Sequence, residues 1–189
     1  MSFHTPESLQ EAARAEWARI QALAQPLKPR DRLAIPMQEM PTQEPLARAR
    51  NMQEVAIGYF EEQARVEAAR CLQCKNAPCV QGCPVRIDIP RFIAAIAEGD
   101  MAKAIGIIKE TSLLPAVCGR VCPQETQCQE PCTVGKSLKS VEKAVSIGRL
   151  ERYVADWERA KGAAVAPVVA SPTGKKVAVV GSGPAGITV

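Results

Sequence analysis

Apolar side chains recur every three or four residues in several stretches of the chain, a spacing that predicts amphipathic helices. The first stretch begins at Thr5, which is suited to cap a helix that has Pro6 in its first position and must end before Pro26. Five prolines then interrupt the pattern in residues 26–45, which favours an extended arm. The apolar periodicity returns at Asn51 and predicts a second helix that leads into the first cysteine.

The second half of the chain also has helical patterns. Asp88 and Asp100 are placed to cap two short helices, with Gly99 ending the first of them. A longer helix with an apolar stripe is predicted from about Glu142 to Lys161, ending at Gly162. We find no strand pattern around the cysteines, so the sequence predicts an all-α domain.

All eight cysteines lie between residues 71 and 132, in two groups of four that the two short helices separate. The first group has the spacing C-x2-C-x4-C-x3-C-P, and the second has the spacing C-x3-C-P-x4-C-x3-C. A cysteine run that ends in Cys-Pro is typical of proteins with two [4Fe–4S] clusters, in which the last cysteine binds the other cluster. The eight residues are Cys71, Cys74, Cys79, Cys83, Cys118, Cys122, Cys128 and Cys132.

The proline after the fourth cysteine gives this pattern a physical reason, because it fixes φ and turns the chain away from the first cluster. On this spacing Cys71, Cys74 and Cys79 bind one cluster. Cys83 is directed to the other cluster, and Cys132 can return from the far end of the second group to complete the first. Simple counting leaves the remaining three cysteines beside Cys83, which predicts two all-cysteine clusters.

Two other uses of cysteine fit the sequence less well. A disulfide-stabilised domain requires an oxidising compartment, whereas residues 1–17 are charged and lack the apolar core of a signal peptide. Structural zinc usually takes paired C-x2-C motifs or a mixture of Cys and His. The chain has one C-x2-C, and its only histidine, His4, is remote from the cysteines. An iron–sulfur protein of the reducing cytoplasm is therefore predicted.

The composition limits the partners of the chain. Aromatic residues make up only 4% of its 189 residues, too few for a platform that stacks single-stranded nucleic acid. The formal net charge of +4 comes without a block of Lys and Arg, so no nucleic-acid partner is predicted. No apolar run approaches the length of a membrane span, and we expect a soluble protein without a membrane partner.

The chain changes character after the last predicted helix. Residues 162–174 are small, apolar and proline-bearing, which is typical of an interdomain linker. Residues 175–180 have a buried-strand pattern and lead into a G-x-G-x-x-G motif, formed by Gly181, Gly183 and Gly186. Directly after a strand this motif indicates a dinucleotide-binding fold, whose glycines let a pyrophosphate approach the backbone. Because a βαβ unit needs about 30 residues, we expect only the truncated start of a Rossmann domain.

These motifs together resemble a known family. They stand in the family's order as Cys71-Leu72-Gln73-Cys74, Gly82-Cys83-Pro84, Cys118-Gly119-Arg120-Val121-Cys122-Pro123, Ile147-Gly148-Arg149-Leu150-Glu151-Arg152-Tyr153 and the glycine motif. Residues 51–189 resemble the N-terminal iron–sulfur domain of the glutamate synthase small (beta) subunit. The same domain opens dihydropyrimidine dehydrogenase and the beta subunit of NADH-dependent ferredoxin:NADP oxidoreductase.

The resemblance implies a domain organisation and a function. Residues 51–161 are expected to form an α-helical ferredoxin-like domain, preceded by a helix and proline-rich arm (residues 1–50). A linker (residues 162–174) and the truncated start of an FAD-binding domain (residues 175–189) follow. In the family, NADPH reduces FAD, and two [4Fe–4S] clusters pass electrons to a partner. The implied partner is a large glutamate synthase-type subunit or another flavin or iron–sulfur subunit, and assembly into an oligomer is compatible with it.

Electron transfer agrees with the chemistry of these cofactors, because a hydride carries two electrons, a cubane accepts one, and a flavin can divide the pair. We identify no catalytic residues, so the 189-residue chain alone is not expected to be an enzyme. An alternative of another class is a structural metal-binding module that docks a partner and has no redox role.

The resemblance also implies a ligand set that differs from the simple count. For the second cluster this set is Cys83, Cys122, Cys128 and the carboxylate of Glu151. Helical periodicity places Glu151 on the apolar side of its helix, where an unpaired charge is costly. Two alternatives stay open, since Glu158 lies on much the same face and an arginine could pair with Glu151. Cys118 is then a small buried thiol that binds no cluster.

Overall fold

A computed structural model describes residues 3–162 and 169–188, and in these ranges the chain is helical. Its one extended pairing in these ranges is an antiparallel bridge between Thr42 and Ala56. The prediction of an all-α domain is confirmed. The helices are α1 (Pro6–Gln21), α2 (Pro29–Ala34), α3 (Pro45–Arg48), α4 (Glu61–Ala69), α5 (Pro78–Gly82), α6 (Ile89–Glu98), α7 (Met101–Lys109), α8 (Pro115–Val121), α9 (Thr133–Ser137), α10 (Ile147–Lys161) and α11 (Pro184–Thr188), with 3-10 turns at Gln124–Thr126 and Val141–Lys143.

Three helices begin where their capping residues predict. Thr5 caps α1, Asp88 caps α6 and Asp100 caps α7, each through a side-chain oxygen that accepts a backbone N–H. Gly99 ends α6 with a φ of 88°, and Gly162 ends α10 with a φ of 60°. Both glycines occupy the left-handed region, which a side chain disfavours.

Two predicted boundaries in the first half are wrong. Residues 26–45 are not extended throughout, because α2 and α3 begin there at Pro29 and Pro45, and proline suits the first position of a helix. The helix predicted from Asn51 begins only at Glu61. Before it, the backbone of residues 55–57 is hydrogen-bonded to the arm, which competes with helix formation.

The helix predicted from about Glu142 begins at Ile147 instead. Arg70, at the end of α4, donates hydrogen bonds to the carbonyls of Lys143 and Ala144, at 2.6 and 3.1 Å. These carbonyls are therefore used by a distant side chain rather than by a helical turn.

The main core lies where α10 packs on α8, α7 and α4, while α6 packs on α7 and α4. The short helices α6 and α7 thereby stand between the two cysteine groups, as predicted. The largest apolar side chains at the centre are almost fully buried; they are Ile89, Phe92, Ile93, Ile96, Ile108 and Leu150.

The C-terminal described segment differs from the prediction. Residues 175–180 are exposed and form no strand, because a strand needs a neighbour for its backbone hydrogen bonds and residues 169–188 provide none. The glycine motif begins with a turn, with a φ of 113° at Gly181, and its second half, including Gly186, lies in α11. Residues 163–168 of the predicted linker lie outside the described residues. In the part of the chain that the structure describes, no helix has the length and apolar character needed to span a membrane.

Candidate metal centre

Four cysteines line one opening in the main core. They come from both sequence groups and are Cys71, Cys74, Cys79 and Cys132. The opening is partly exposed to solvent, and its other walls are mainly apolar. Side chains such as Ile93 and Val134 limit the access of water there. The structure thus places Cys132 beside Cys71, Cys74 and Cys79, the three cysteines with which the sequence groups it.

Local backbone geometry places these four thiols. Cys71 follows the end of α4 directly, and Gln73 has a φ of 52°, which reverses the chain between Cys71 and Cys74. Cys79 lies in the first turn of α5, and Cys132 is the residue before α9. Thr133, which the sequence does not single out, places its hydroxyl 3.3 Å from Cys74 Sγ, within hydrogen-bonding distance.

The buried thiols of this group are held in their neutral form. Burial, with a smaller effect of the neighbouring Cys132, raises the pKa of Cys71 to about 11 and the pKa of Cys79 to about 12. Metal binding must therefore displace these protons. Soft sulfur donors collected in an apolar space are the ligands that iron–sulfur clusters use.

A second set of side chains, from both cysteine groups and α10, lies close together in the structure. Burial raises the pKa of Cys128 to about 12, and Cys83 and Glu151 are close enough to contribute to this rise. Burial and the adjacent Cys118 raise the pKa of Cys122 to about 11, with smaller effects of Glu151 and Cys83. The structure thus gathers the four second-cluster ligands that the resemblance implies.

Glu151 is the most unusual member of this second set. Its side chain is buried, which raises its pKa to about 8. Its Oε1 atom has no hydrogen-bond partner among the described residues. An unpaired buried carboxyl oxygen is costly, and a metal ion at the same place would supply its partner. The chemistry of this donor set therefore fits a metal cluster.

The two alternatives for Glu151 are not supported by the structure. Glu158, on much the same face, accepts a hydrogen bond from Lys109 Nζ at 2.6 Å and is satisfied. No arginine among the described residues pairs with Glu151. Arg152, its neighbour in sequence, instead forms ion pairs with Glu54 and Asp156.

Close backbone packing brings Glu151 to the cysteines. A Cβ atom on Gly119 of α8 would lie 2.6 Å from the backbone nitrogen of Arg152 and 2.8 Å from the carbonyl oxygen of Gly148, both in α10. Only glycine permits this approach. Arg152 follows Glu151 directly, so the contact brings the backbone of Glu151 against α8, and its side chain lies close enough to Cys122 to raise the pKa of that thiol.

Cys118 also lies in this region, so the structure offers five candidate ligands there. It is half-buried, with its sulfur 4.0 Å from the Ser112 hydroxyl oxygen. Counting thiols does not decide between Cys118 and Glu151, but the unpaired carboxyl oxygen favours Glu151. Within residues 3–162 and 169–188, no three Cys, His, Asp or Glu side chains are placed to hold one metal ion. A cubane is bound differently, with one ligand at each of four separate iron atoms.

Residues 48–163 match the sequence profile of a family described as dihydropyrimidine dehydrogenase domain II, 4Fe-4S cluster. This range is more than half of the chain and holds all eight cysteines and Glu151. The chain belongs to this family. It is therefore a 4Fe-4S cluster domain, which confirms the resemblance to this group of proteins.

The relatives of this chain are named as oxidoreductases or as subunits of oxidoreductases. The chain is 43% identical over 137 residues to a putative oxidoreductase, UacF, of Escherichia coli, covering 71% of the chain and 20% of that protein. It is 38% identical over 140 residues to the glutamate synthase [NADPH] small chain of Halomonas elongata, covering 74% and 29%. It is 42% identical over 121 residues to the NAD-dependent dihydropyrimidine dehydrogenase subunit PreT of Escherichia coli, covering 64% and 28%. The chain thus spans less than a third of each of these relatives.

Proposed function

We propose that the chain is the electron-transfer domain of an NAD(P)H-dependent flavin and iron–sulfur oxidoreductase, and that it holds two [4Fe–4S] clusters. One observation carries the proposal: the cysteines gather in two separate sets, and a buried carboxylate without a partner belongs to the second. A single structural metal ion gives no reason for two such sets.

Each set has the number of donors that a cubane requires. For the first cluster the proposed ligands are Cys71, Cys74, Cys79 and Cys132. For the second cluster the proposed ligands are Cys83, Cys122, Cys128 and Glu151. Cys83 follows Cys79 closely in sequence but belongs to the other set, as the Cys-Pro argument requires.

A bound [4Fe–4S] cluster supplies one-electron transfer. The chain's own residues hold the ligands in place and keep the sites largely dry, and both properties influence a reduction potential. The apolar walls of the first site and the helix contact that fixes Glu151 serve these two purposes.

For the whole protein we propose the glutamate synthase small-subunit type, located in the cytoplasm. FAD and NADPH then supply electrons, and a large glutamate synthase-type subunit or another flavin or iron–sulfur partner receives them. The names of the relatives support this, since they include an NADPH-dependent and an NAD-dependent enzyme. Gly181, Gly183 and Gly186 are the proposed contacts to the FAD pyrophosphate.

The first test is an analysis of metal and sulfide in chain produced anaerobically. We expect about eight iron and eight sulfide per chain, as two cubanes require. After chemical reduction, electron paramagnetic resonance (EPR) spectra should show two cluster signals. Bound zinc without sulfide would contradict the proposal, and clusters that accept no electron would favour the structural docking module.

The second test concerns the flavin. The 189-residue chain should neither retain FAD nor oxidise NADPH, because a complete dinucleotide site needs a whole βαβ unit. Stoichiometric flavin in the purified chain would contradict this expectation.

A further inference from the structure

A basic side chain of the N-terminal arm reaches the first set of cysteines. The Nη1 atom of Arg32, in α2, donates hydrogen bonds to the carbonyl oxygens of Ala69 at 2.8 Å and Cys71 at 3.0 Å. Cys71 is a proposed ligand of the first cluster, whereas Arg32 lies outside the range 48–163 that defines the family match. The arm is therefore part of the surroundings of this site.

Packing of α2 on α4 holds Arg32 in this position. Ile35, one helical turn after Arg32, is only 2% exposed and packs on Val66 and Ala69 of α4. The start of α2 is fixed as well, because the carboxylate of Asp31 accepts a hydrogen bond from the backbone N–H of Lys28 at 3.0 Å. The guanidinium is consequently placed by the fold and is not a freely moving surface group.

No carboxylate compensates the charge of Arg32, in contrast to the charges of Arg120 and Arg152 near the second set. Both hydrogen bonds of Arg32 go to neutral carbonyls, and no ion pair among the described residues includes it. Beside the second set, Arg120 pairs with Glu54 and Asp156, and Arg152 pairs with the same two carboxylates. Arg32 is therefore an uncompensated cation beside the first set.

We propose that Arg32 raises the reduction potential of the first cluster and leaves the second almost unaffected. Accepting an electron makes a cluster more negative, so a fixed positive charge a few ångströms from a ligand favours the reduced form. The uncompensated charge of Arg32 acts in this way through Cys71. The inference rests on the proposed function, since it requires that the two sets of ligands bind redox-active clusters.

A simpler role for Arg32 is that of a C-terminal cap, since its partners are carbonyls at the end of α4 and a cation is favourable there. The two roles predict different results. A cap changes the stability of the chain, whereas a nearby charge changes the reduction potential of one cluster. Glutamine at position 32 can still donate to a carbonyl but carries no charge, so Arg32→Gln separates the two effects.

The experiment is a redox titration of the anaerobically prepared 189-residue chain, followed by EPR, for the parent chain and each variant. At a fixed potential near the midpoint, Arg32→Gln should lower the ratio of reduced to oxidised first cluster about three- to tenfold; tenfold corresponds to 59 mV for one electron. Arg32→Lys should restore most of the parent value. Arg30→Gln is the matched control, because Arg30 is an exposed residue of the same helix.

A separate variant identifies which signal belongs to the first cluster. Once Cys74 is a thiolate it can only accept a hydrogen bond from the Thr133 hydroxyl, and loss of such a bond lowers a cluster's potential. Thr133→Val should therefore lower the same potential that Arg32→Gln lowers. Thermal unfolding of every variant records the change in stability separately.

Three results would overturn the proposal: unchanged potentials in Arg32→Gln, an equal shift of both clusters, or the same shift in Arg30→Gln. The iron and sulfide contents of the same samples distinguish a failure of the proposed role of Arg32 from a failure of the proposed function. Normal contents with unchanged potentials overturn only the role of Arg32. A parent chain that binds no iron and sulfide overturns the proposed function, and the role of Arg32 with it.

Discussion

The two sets of cysteines are built in different ways. The first is assembled mainly from one short loop, with Cys71, Cys74 and Cys79 within nine residues and Cys132 added from the second half. The second depends on the crossing of α8 and α10, which brings Glu151 to cysteines that are distant in sequence. Local spacing thus specifies most of the first site, whereas tertiary packing specifies the second.

The electrostatic surroundings of the two sets differ as well. The first set has apolar walls, the hydroxyl of Thr133 and the uncompensated charge of Arg32. The second contains a carboxyl group, and the arginines near it are paired with Glu54 and Asp156. Two clusters with different surroundings can have different potentials, and such a difference gives electron transfer a direction.

The largest expected effect concerns Glu151. Replacing it with alanine removes one ligand and should lower the iron content of anaerobically prepared chain from about eight to about four, as loss of one cubane requires. Glu151→Gln should retain the second cluster, because an amide oxygen can replace the carboxylate. Iron and sulfide analysis together with EPR measures both outcomes.

Two variants act as controls for Glu151→Ala. Glu158→Ala changes an acid on the same side of α10 that already has Lys109 as its partner, so both clusters should remain. Cys118→Ser should also retain both. If Cys118→Ser loses the second cluster while Glu151→Ala keeps it with unchanged spectra, the assignment of Glu151 as a ligand is wrong.

The difference between the two sets also shows which features can be predicted from the sequence alone. The caps at Thr5, Asp88 and Asp100 were predictable because a capping side chain bonds to its own helix. The buried position of Glu151 was predictable from the period of the helix. In both cases the cause lies within a few residues of the effect.

Features caused by distant residues were not predictable in this way. The start of α10 is displaced because Arg70 takes the carbonyls of Lys143 and Ala144, more than 70 residues away. The contact of Arg32 with Cys71 spans 39 residues, and the sequence around neither residue predicts it. Such contacts depend on which helices pack together, and helix periodicity does not specify the packing partner.

The next largest effect tests whether the two sites are independent. The buried carboxylate of Glu67 accepts hydrogen bonds from Arg70 at 2.6 Å and from the backbone N–H groups of Gln38 and Ser146, at 2.9 and 2.8 Å. It therefore joins the arm, the end of α4 and the start of α10. Glu67→Ala leaves the charge of Arg70 buried without its partner and should lower the free energy of unfolding by about 3–5 kcal/mol.

Urea denaturation of cluster-loaded chain measures this loss for Glu67→Ala. Glu62→Ala is the control, since its pair with Arg14 is far more exposed and should contribute about 1 kcal/mol or less. Both clusters should become more labile together in Glu67→Ala, because Glu67 supports segments next to each. Loss of only one cluster would show that the sites are more independent than this shared contact implies.

A smaller effect distinguishes the two sites by pH. In iron-free chain, burial raises the pKa of Glu151 from the usual 4.5 to about 8, so the folded state holds the proton more tightly than the unfolded state does. The contribution of Glu151 to stability should therefore be greatest below about pH 4.5 and be lost as the pH rises through about 8. Between pH 5 and pH 8 the loss should be roughly 3–4 kcal/mol.

Urea denaturation of iron-free chain between pH 5 and pH 8 measures this dependence. Glu151→Gln should remove most of it, because the amide does not titrate. Burial raises the pKa of Cys71 and Cys79 from 9.0 to about 11 and about 12, so these thiols lower the stability only as the pH approaches 9, where they ionise in the unfolded chain. An equally steep dependence in Glu151→Gln would assign it to another group.

The smallest effect compares two glycines that both lie within helices. A Cβ on Gly119 would meet the backbone of α10 at 2.6–2.8 Å, so Gly119→Ala must push α8 and α10 apart. We expect a loss of about 1–3 kcal/mol in the free energy of unfolding, and a second cluster that is lost more readily than the first.

Gly106 of α7 has no atom within 4 Å of its Cβ position, so Gly106→Ala should stabilise the chain by about 0.5–1 kcal/mol. Thermal unfolding and iron analysis of the two variants measure both effects. If Gly119→Ala labilises the first cluster as much as the second, the helix crossing supports both sites and the contrast between them is wrong.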